Sequence, residues 1–244
     1  MTPLLAVEGL TKRFGGVAAV DGCSFAVEEG SVTALIGPNG SGKTTAFNLI
    51  TGYLPADSGI VTFCGSAVRR PDPTRLARAG LARTFQRARV FPELTAVENL
   101  AVAHQQSWTA LLRKTLRPSE RERADALLEE FGLTRVAHDP AGSLSFGQRK
   151  LLEFASLLMG EPRLVLLDEP AAGVNPVMVA TMERHIRDLH ARGLTFLIVE
   201  HDMHLVMRLS DTVIVLDRGT TIATGPPLDV QRDPLVLDAY LGVA

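Results

Sequence analysis

Apolar positions along this chain change their rhythm several times, and each change predicts an element. Between residues 4 and 36 they alternate loosely or run in short β-branched stretches. LLAVEGL, CSFAVEEG and SVTALIG, the last ending in glycine, read as strands. In TTAFNLITGY the spacing becomes helical and Gly52 stops it; GIVTFCG is another short strand between glycines. Helix signals then dominate from 87 to 158. LTAVENLAVAHQ opens with Thr95 three residues before Glu98, a capping-box pattern. PSERERADALLEEFGL has Ser119 as its predicted N-cap, Ala124, Leu127, Leu128 and Phe131 on one face, and Gly132 as its stop. In LSFGQRKLLEFA, Ser145 and Gln148 repeat the capping box, and Leu151, Phe154, Ala155 and Leu158 form an apolar stripe.

Strands then return, alternating with helices. RLVLLDEP puts four consecutive apolar residues before an acid pair, the mark of a strand buried on both faces of a parallel sheet. NPVMVATMERHIRDLHARG reads as a helix, LTFLIVEHD as a second buried strand and MHLVMRLSD as a short helix. DTVIVLDRGTTIATG is a hairpin turning at Asp217, Arg218 and Gly219, and DPLVLDAYLGVA ends the chain as a short helix. The result is an α/β frame interrupted by a helical insertion. With 244 residues, one domain is expected over 1–244: a core from 1–86 and 159–244, and a helical part from 87–158.

Composition adds exclusions. At 46% apolar and 21% charged, the chain is ordinary for a protein with a full-sized core. A net charge of −2 is no basis for sequence-independent binding to nucleic acid, which needs a basic surface to displace counterions. Two cysteines, Cys23 and Cys64, make no disulfide framework and fit a reducing compartment. No charged leader followed by an apolar run opens the chain, and no apolar run approaches the ~18 residues of a spanning helix. Any membrane connection is expected to run through a partner.

The chemistry concentrates at strand ends. Gly37, Pro38, Asn39, Gly40, Ser41, Gly42, Lys43 and Thr44 match the phosphate-loop pattern G-x-x-x-x-G-K-[ST], between a strand and a helix. The glycines let backbone N–H groups and the helix N-terminus face phosphate oxygens. Lys43 would neutralise the β- and γ-phosphates, the Thr44 hydroxyl would hold Mg²⁺, and Thr45 could donate to the α-phosphate. Asp168 and Glu169, after LVLL, lie where open α/β sheets bind ligands: Asp168 would reach the metal and Glu169 would act as general base, or the pair would simply cap the next helix. His201 could contact the γ-phosphate or attacking water, or be structural. Gln86 offers an amide for Mg²⁺ and water. Phe14 could stack on adenine or join the core. At the second capping box, Ser145 needs no ligand, but Gly147 weakens the helix while permitting close approach by one.

The ordered set GPNGSGKTT, TFQ, LSFGQ, LVLLDEP and IVEHD resembles the ATP-binding subunit of an ABC transporter: Walker A, Q-loop, signature, Walker B and switch histidine in sequence, across essentially the whole chain. RTFQRARVFPELTAVENLAVA, AAGVNP, EHDMHLVM and the tail AYLG resemble the branched-chain (hydrophobic) amino acid importer group, with urea and amide importers as near relatives. The resemblance implies a P-loop, RecA-like core with a mostly parallel sheet, an N-terminal antiparallel β-subdomain and an α-helical insertion carrying the signature. It implies ATP and Mg²⁺ as ligands. It also implies a second ATP-binding subunit, a copy of this chain or a related but distinct one, packed head to tail, so that Ser145, Gly147 and Gln148 hold the γ-phosphate of the opposite subunit's nucleotide. Two permease subunits, docked near Gln86 to Leu100, and indirectly a solute-binding protein complete the implied assembly, on the cytoplasmic face of a bacterial-type membrane. Two residues depart from the general pattern: Phe146 replaces a common glycine and Asn175 a common aspartate. A nucleic-acid-directed relative would bring a coiled-coil insertion, a basic face or a second cassette, and none is visible. A P-loop kinase or switch GTPase would account for the phosphate loop but not for LSFGQ with His201.

Overall fold

The computed structural model describes residues 3–68, 71–84, 90–104 and 117–241. In chain order, β1 (Leu5–Phe14), β2 (Val17–Val27) and β3 (Val32–Ile36) lead into α1 (Lys43–Ile50). β4 (Ser58–Phe63), β5 (Ser66–Val68), α2 (Pro73–Arg78) and β6 (Leu81–Arg83) follow. Three helices come next: α3 (Ala96–His104), α4 (Pro118–Glu130) and α5 (Phe146–Leu158). Then β7 (Leu164–Asp168), α6 (Pro176–Ala191), β8 (Thr195–Val199), α7 (Met203–Leu209), β9 (Thr212–Asp217), β10 (Thr220–Gly225), α8 (Pro227–Val230) and α9 (Pro234–Leu241) close the chain.

Two sheets organise these elements. One is antiparallel, in the order β2-β1-β4-β5; the other runs β10-β9-β3-β8-β7-β6 and is parallel except for the β9–β10 hairpin. Every residue of β3, β7 and β8 is buried, because the parallel sheet is covered on both faces. Alternate side chains therefore serve two cores. Leu164 and Leu166 pack with Leu35, Phe47 of α1 and the apolar face of the antiparallel sheet. Val165 and Leu167 point the other way, onto α5 and α6 through Phe154 and Ile186. Phe154 meets Phe131 and Phe196 edge to face, with centroids 5.3 and 6.3 Å away. Phe131 also stacks on His185 at 4.3 Å, where burial lowers the imidazole pKa and favours its neutral form.

The predicted caps hold with one exception. Thr95 and Glu98 exchange the two bonds of a capping box at 3.3 and 2.7 Å. Ser119, the predicted N-cap of α4, instead lies in its first turn: Arg117 is the cap position and Pro118 starts the helix, where its fixed φ and missing N–H do no harm. The Glu120 carboxylate accepts the Arg117 N–H at 2.8 Å. Four short elements carried no pattern long enough to predict, the four-residue α8 among them. α2 is six residues with only Leu76 buried, and β5 and β6 have three residues each. Among the described residues, no helix is long and apolar enough to cross a membrane.

Candidate nucleotide site

Strand register assembles the site. Leu35 of β3 pairs with Val199 of β8, and Val199 pairs with Asp168 of β7. Chain leaving these three strands therefore emerges at one edge: the loop 37–42, Glu169, and Glu200 with His201. This is the carboxyl edge where α/β sheets take ligands.

The loop needs glycine for steric reasons. At Gly37, φ is 150° and a Cβ would lie 2.1 Å from the Leu216 carbonyl oxygen; at Gly42, φ is 102° and a Cβ would lie 2.3 Å from that of Ala19. Gly42 is the N-cap of α1 and supplies no side-chain bond, so the first-turn N–H groups of α1 have no side-chain cap and form an anion-binding corner. Lys43 is buried, and its Nζ donates to the carbonyls of Gly37 at 2.8 Å and Pro38 at 2.9 Å. Burial lowers the Lys43 pKa, against the pull of the Glu169 charge. The tail also reaches this loop: partial burial raises the pKa of the Tyr240 phenol, and the Gly37 backbone opposes the rise.

Asp168 is buried at the end of β7. Its Oδ2 accepts from Arg83 at 2.9 Å, while Oδ1 has no hydrogen-bond partner among the described residues. Desolvation raises its pKa and Arg83 opposes the rise. A buried carboxylate oxygen without a donor is a point of stored cost that a cation would relieve. Among the described residues no cluster of three or more His, Cys, Asp or Glu side chains could hold a metal alone. That fits an ion taking one carboxylate and one hydroxyl from the protein and the rest from phosphates and water, as Mg²⁺ does.

Glu169 has a left-handed backbone, φ 50°, and its N–H donates to the Val199 carbonyl at 2.9 Å. It does not cap α6; the Asn175 side chain does, accepting the Met178 N–H at 2.9 Å. His201 lies two residues beyond the end of β8 and its side chain is largely exposed, which argues against a core role. Phe14 is also no core residue: at the end of β1 it is 50% exposed, with Lys12 Nζ 5.8 Å from its ring centroid. Gln86 lies outside the described residues.

Ser145 caps α5 as expected. Its hydroxyl accepts the Gln148 N–H at 3.3 Å and its own N–H donates to Gln148 Oε1 at 2.9 Å. Gly147 has a nearer neighbour than expected, since a Cβ there would lie 2.6 Å from the Met178 Cε. That methyl ends a flexible chain, so packing asks for a small residue without demanding glycine. No hydrogen bond or ion pair among the described residues joins this corner to the loop 37–45.

The pattern of the whole chain has known counterparts. Residues 20–172 match the family model of ABC transporters. This chain belongs to that family. Residues 220–244 of this ABC transporter subunit also match the model for branched-chain amino acid ATP-binding cassette transporters. It is 44% identical over 252 residues to the high-affinity branched-chain amino acid transport ATP-binding protein BraF of Pseudomonas aeruginosa, with 99% of each chain covered. To the corresponding protein LivG of Escherichia coli it is 40% identical, again over 99% of both. An ATP-binding cassette of an ABC transporter, solved in its ADP conformation, superposes with a TM-score of 0.88 at 37% identity, covering 99% of this chain and 100% of the other. ABC ATP-binding subunits are ATPases, and so is this one.

Three residues at the site gave no sequence signal. Arg83 pairs with Asp168 and bonds Asn48 Oδ1 and Thr51 Oγ1, each at 2.8 Å. Lys150 and Glu200, one in the signature helix and one beside His201, are buried. The nearest signal for Arg83 is Asp168 itself, because a buried carboxylate is costly without a cationic partner.

Proposed function

We propose that this subunit hydrolyses ATP to drive an importer of branched-chain or other hydrophobic amino acids. It would work at the cytoplasmic face of a membrane with a second ATP-binding subunit, two permease subunits and, indirectly, a solute-binding protein. The relatives' names and the match over 220–244 support the solute class. The observation that carries the catalytic reading is the register of Leu35, Val199 and Asp168, which brings loop 37–42, Glu169 and His201 to one edge.

At that edge the backbone of Gly37, Pro38, Asn39, Gly40, Ser41 and Gly42 and the start of α1 cradle the phosphates. Lys43 neutralises the β- and γ-phosphates, Thr45 donates to the α-phosphate, and Phe14 stacks on the adenine. Glu169 takes a proton from water as its oxygen bonds to the γ-phosphorus and the bond to the β–γ bridging oxygen breaks, leaving ADP and phosphate. His201 and Gln86 orient the water and the γ-phosphate. Thr44, Asp168 and Gln86 would hold Mg²⁺, which when bound offsets phosphate charge. Ser145, Gly147 and Gln148 complete the site of the second subunit, packed head to tail. The triphosphate bridges both halves, and its hydrolysis lets them part. The permease would dock near Gln86 to Leu100; a groove of about 320 Å³ lined in part by Tyr53, Leu76, Ala103 and Leu157 lies between the core and helices α3 and α5.

Glu169→Gln tests this reading. It keeps ATP binding and slows hydrolysis roughly 10²–10⁴-fold, the scale for losing a general base, so that an ATP-bound dimer accumulates on gel filtration. Wild-type turnover in this variant refutes the assignment. Co-purification from membranes identifies the permease partners.

A further inference from the structure

Two buried charges beside Glu169 have no part in the chemistry above. Lys150, on the signature helix α5, is 5% exposed, and its Nζ donates to three backbone carbonyls: Glu169 at 3.3 Å, Pro170 at 3.1 Å and Ala172 at 2.8 Å. Glu200, between β8 and His201, is 1% exposed. Its Oε1 accepts the Ala171 N–H at 2.8 Å, and its Oε2 faces the N–H groups of His201 at 3.1 Å and Asp202 at 3.4 Å. Residues 169–172 are thus held from two sides, their carbonyls by an ammonium and the Ala171 N–H by a carboxylate.

We propose that Lys150 and Glu200 are positioning residues that set the Glu169 carboxylate for hydrolysis and tie it to the signature helix of the same chain. Burying two charges costs several kcal/mol each, and an apolar pair of similar size is often as stable or more so. What these two charges do visibly is fix backbone atoms of residues 169–172. That geometry is strained: the left-handed conformation of Glu169 costs roughly 1–2 kcal/mol and persists only where its surroundings over-determine it. The surroundings here are the Val199 carbonyl on its N–H, and the Ala172 N–H with Lys150 Nζ on its carbonyl.

The link continues to the start of α5. Lys150 Nζ lies 5.5 Å from the Phe146 ring centroid, and a Cβ on Gly173 would stand 3.5 Å from that ring. The signature corner therefore holds the segment after Glu169 through an ammonium and places an aromatic edge beside Gly173. The positioning role rests on Glu169 being the base.

The experiment compares wild type with K150M, K150R, E200Q and E169Q as full-length chains, measuring steady-state ATP hydrolysis, binding of a fluorescent ATP analogue with Mg²⁺, and thermal unfolding. In K150M and E200Q kcat falls about 10–100-fold, the range for a misplaced catalytic group, while KM and analogue affinity stay within about threefold. K150R, which keeps the charge and donors, recovers most of the loss. A kcat within about twofold of wild type in E200Q overturns the proposal whether or not K150M folds, and so does a loss confined to KM. The E169Q control separates the two readings: wild-type turnover there removes the base itself. Lost turnover in E169Q with normal kcat in E200Q removes only the positioning role.

Discussion

Replacing Arg83 with methionine isolates the electrostatics of the Walker B aspartate. The Arg83 and Asp168 side chains are 6% and 2% exposed and meet at 2.9 Å, so the substitution leaves a buried carboxylate with no cation. Removing one partner of such a pair costs about 3–5 kcal/mol, a large share of the roughly 5–15 kcal/mol that holds a domain together. The carboxylate has an escape, because it can take up a proton. Its pKa is already raised by burial, with Arg83 holding it down. A raised acid pKa means that the folded state binds the proton more tightly than the unfolded one. Stability therefore falls as pH rises from the usual carboxylate range through the folded value. Without Arg83 the folded value moves higher still, and the window extends upward. The deficit of Arg83→Met relative to wild type should then be about 3–5 kcal/mol at pH 8. At pH 5 it should shrink toward about 1–3 kcal/mol, the loss of the bonds to Asn48 and Thr51. Urea unfolding followed by circular dichroism measures both. Adding Asp168→Asn to the variant should recover stability at pH 8. A deficit equal at the two pH values, with no recovery in the double variant, would refute the reasoning.

Three further outcomes are expected. Ser145→Ala in one subunit of a mixed dimer impairs hydrolysis at the site holding the other subunit's Lys43, read by pairing it with Lys43→Ala on the same or the opposite chain; damage confined to its own loop contradicts the shared site. Asn175→Ala lowers stability by about 1 kcal/mol through loss of the α6 cap, whereas Asn175→Asp keeps it, and thermal unfolding distinguishes the two. Phe14→Ala weakens ATP binding by about 0.5–1.5 kcal/mol, the worth of an aromatic stack, and leaves inorganic triphosphate binding unchanged; equal losses for both ligands exclude the stack.

What the chain discloses unaided depends on how locally each feature is encoded. Loop 37–44 is read from eight consecutive residues because its proposed function rests on backbone N–H groups, a lysine and a hydroxyl at fixed spacing. β7 and β8 are legible because burial on both faces leaves unbroken apolar runs. The same logic hides α2 and β6, whose few residues hold their shape through contacts supplied from elsewhere: the β6 strand exists only as the edge partner of β7. Ser119 has the chemistry of a cap, but Pro118 takes the first helical position and moves the cap to Arg117. Arg83, Lys150 and Glu200 were missed for a related reason. Each acts on a group far away in sequence or on backbone atoms, and backbone atoms leave no trace in residue identity.

The two departures from the family pattern, together with Gly147, belong to one packed corner. Phe146 lies over Gly173, the Met178 methyl covers Gly147, and Asn175 holds the Met178 N–H. Asparagine at that cap supplies the same acceptor as aspartate but one fewer negative charge, so α6 is capped equally well while the segment beside Glu169 becomes less acidic. Phenylalanine in the signature adds a ring 5.5 Å from the Lys150 ammonium and beside Gly173, which a glycine would not supply. Neither residue is among the proposed phosphate, metal or base ligands. Their effect should therefore appear in how firmly the corner transmits movement. In Phe146→Gly, ATP binding should persist while the dependence of one site's hydrolysis on occupancy of the other weakens.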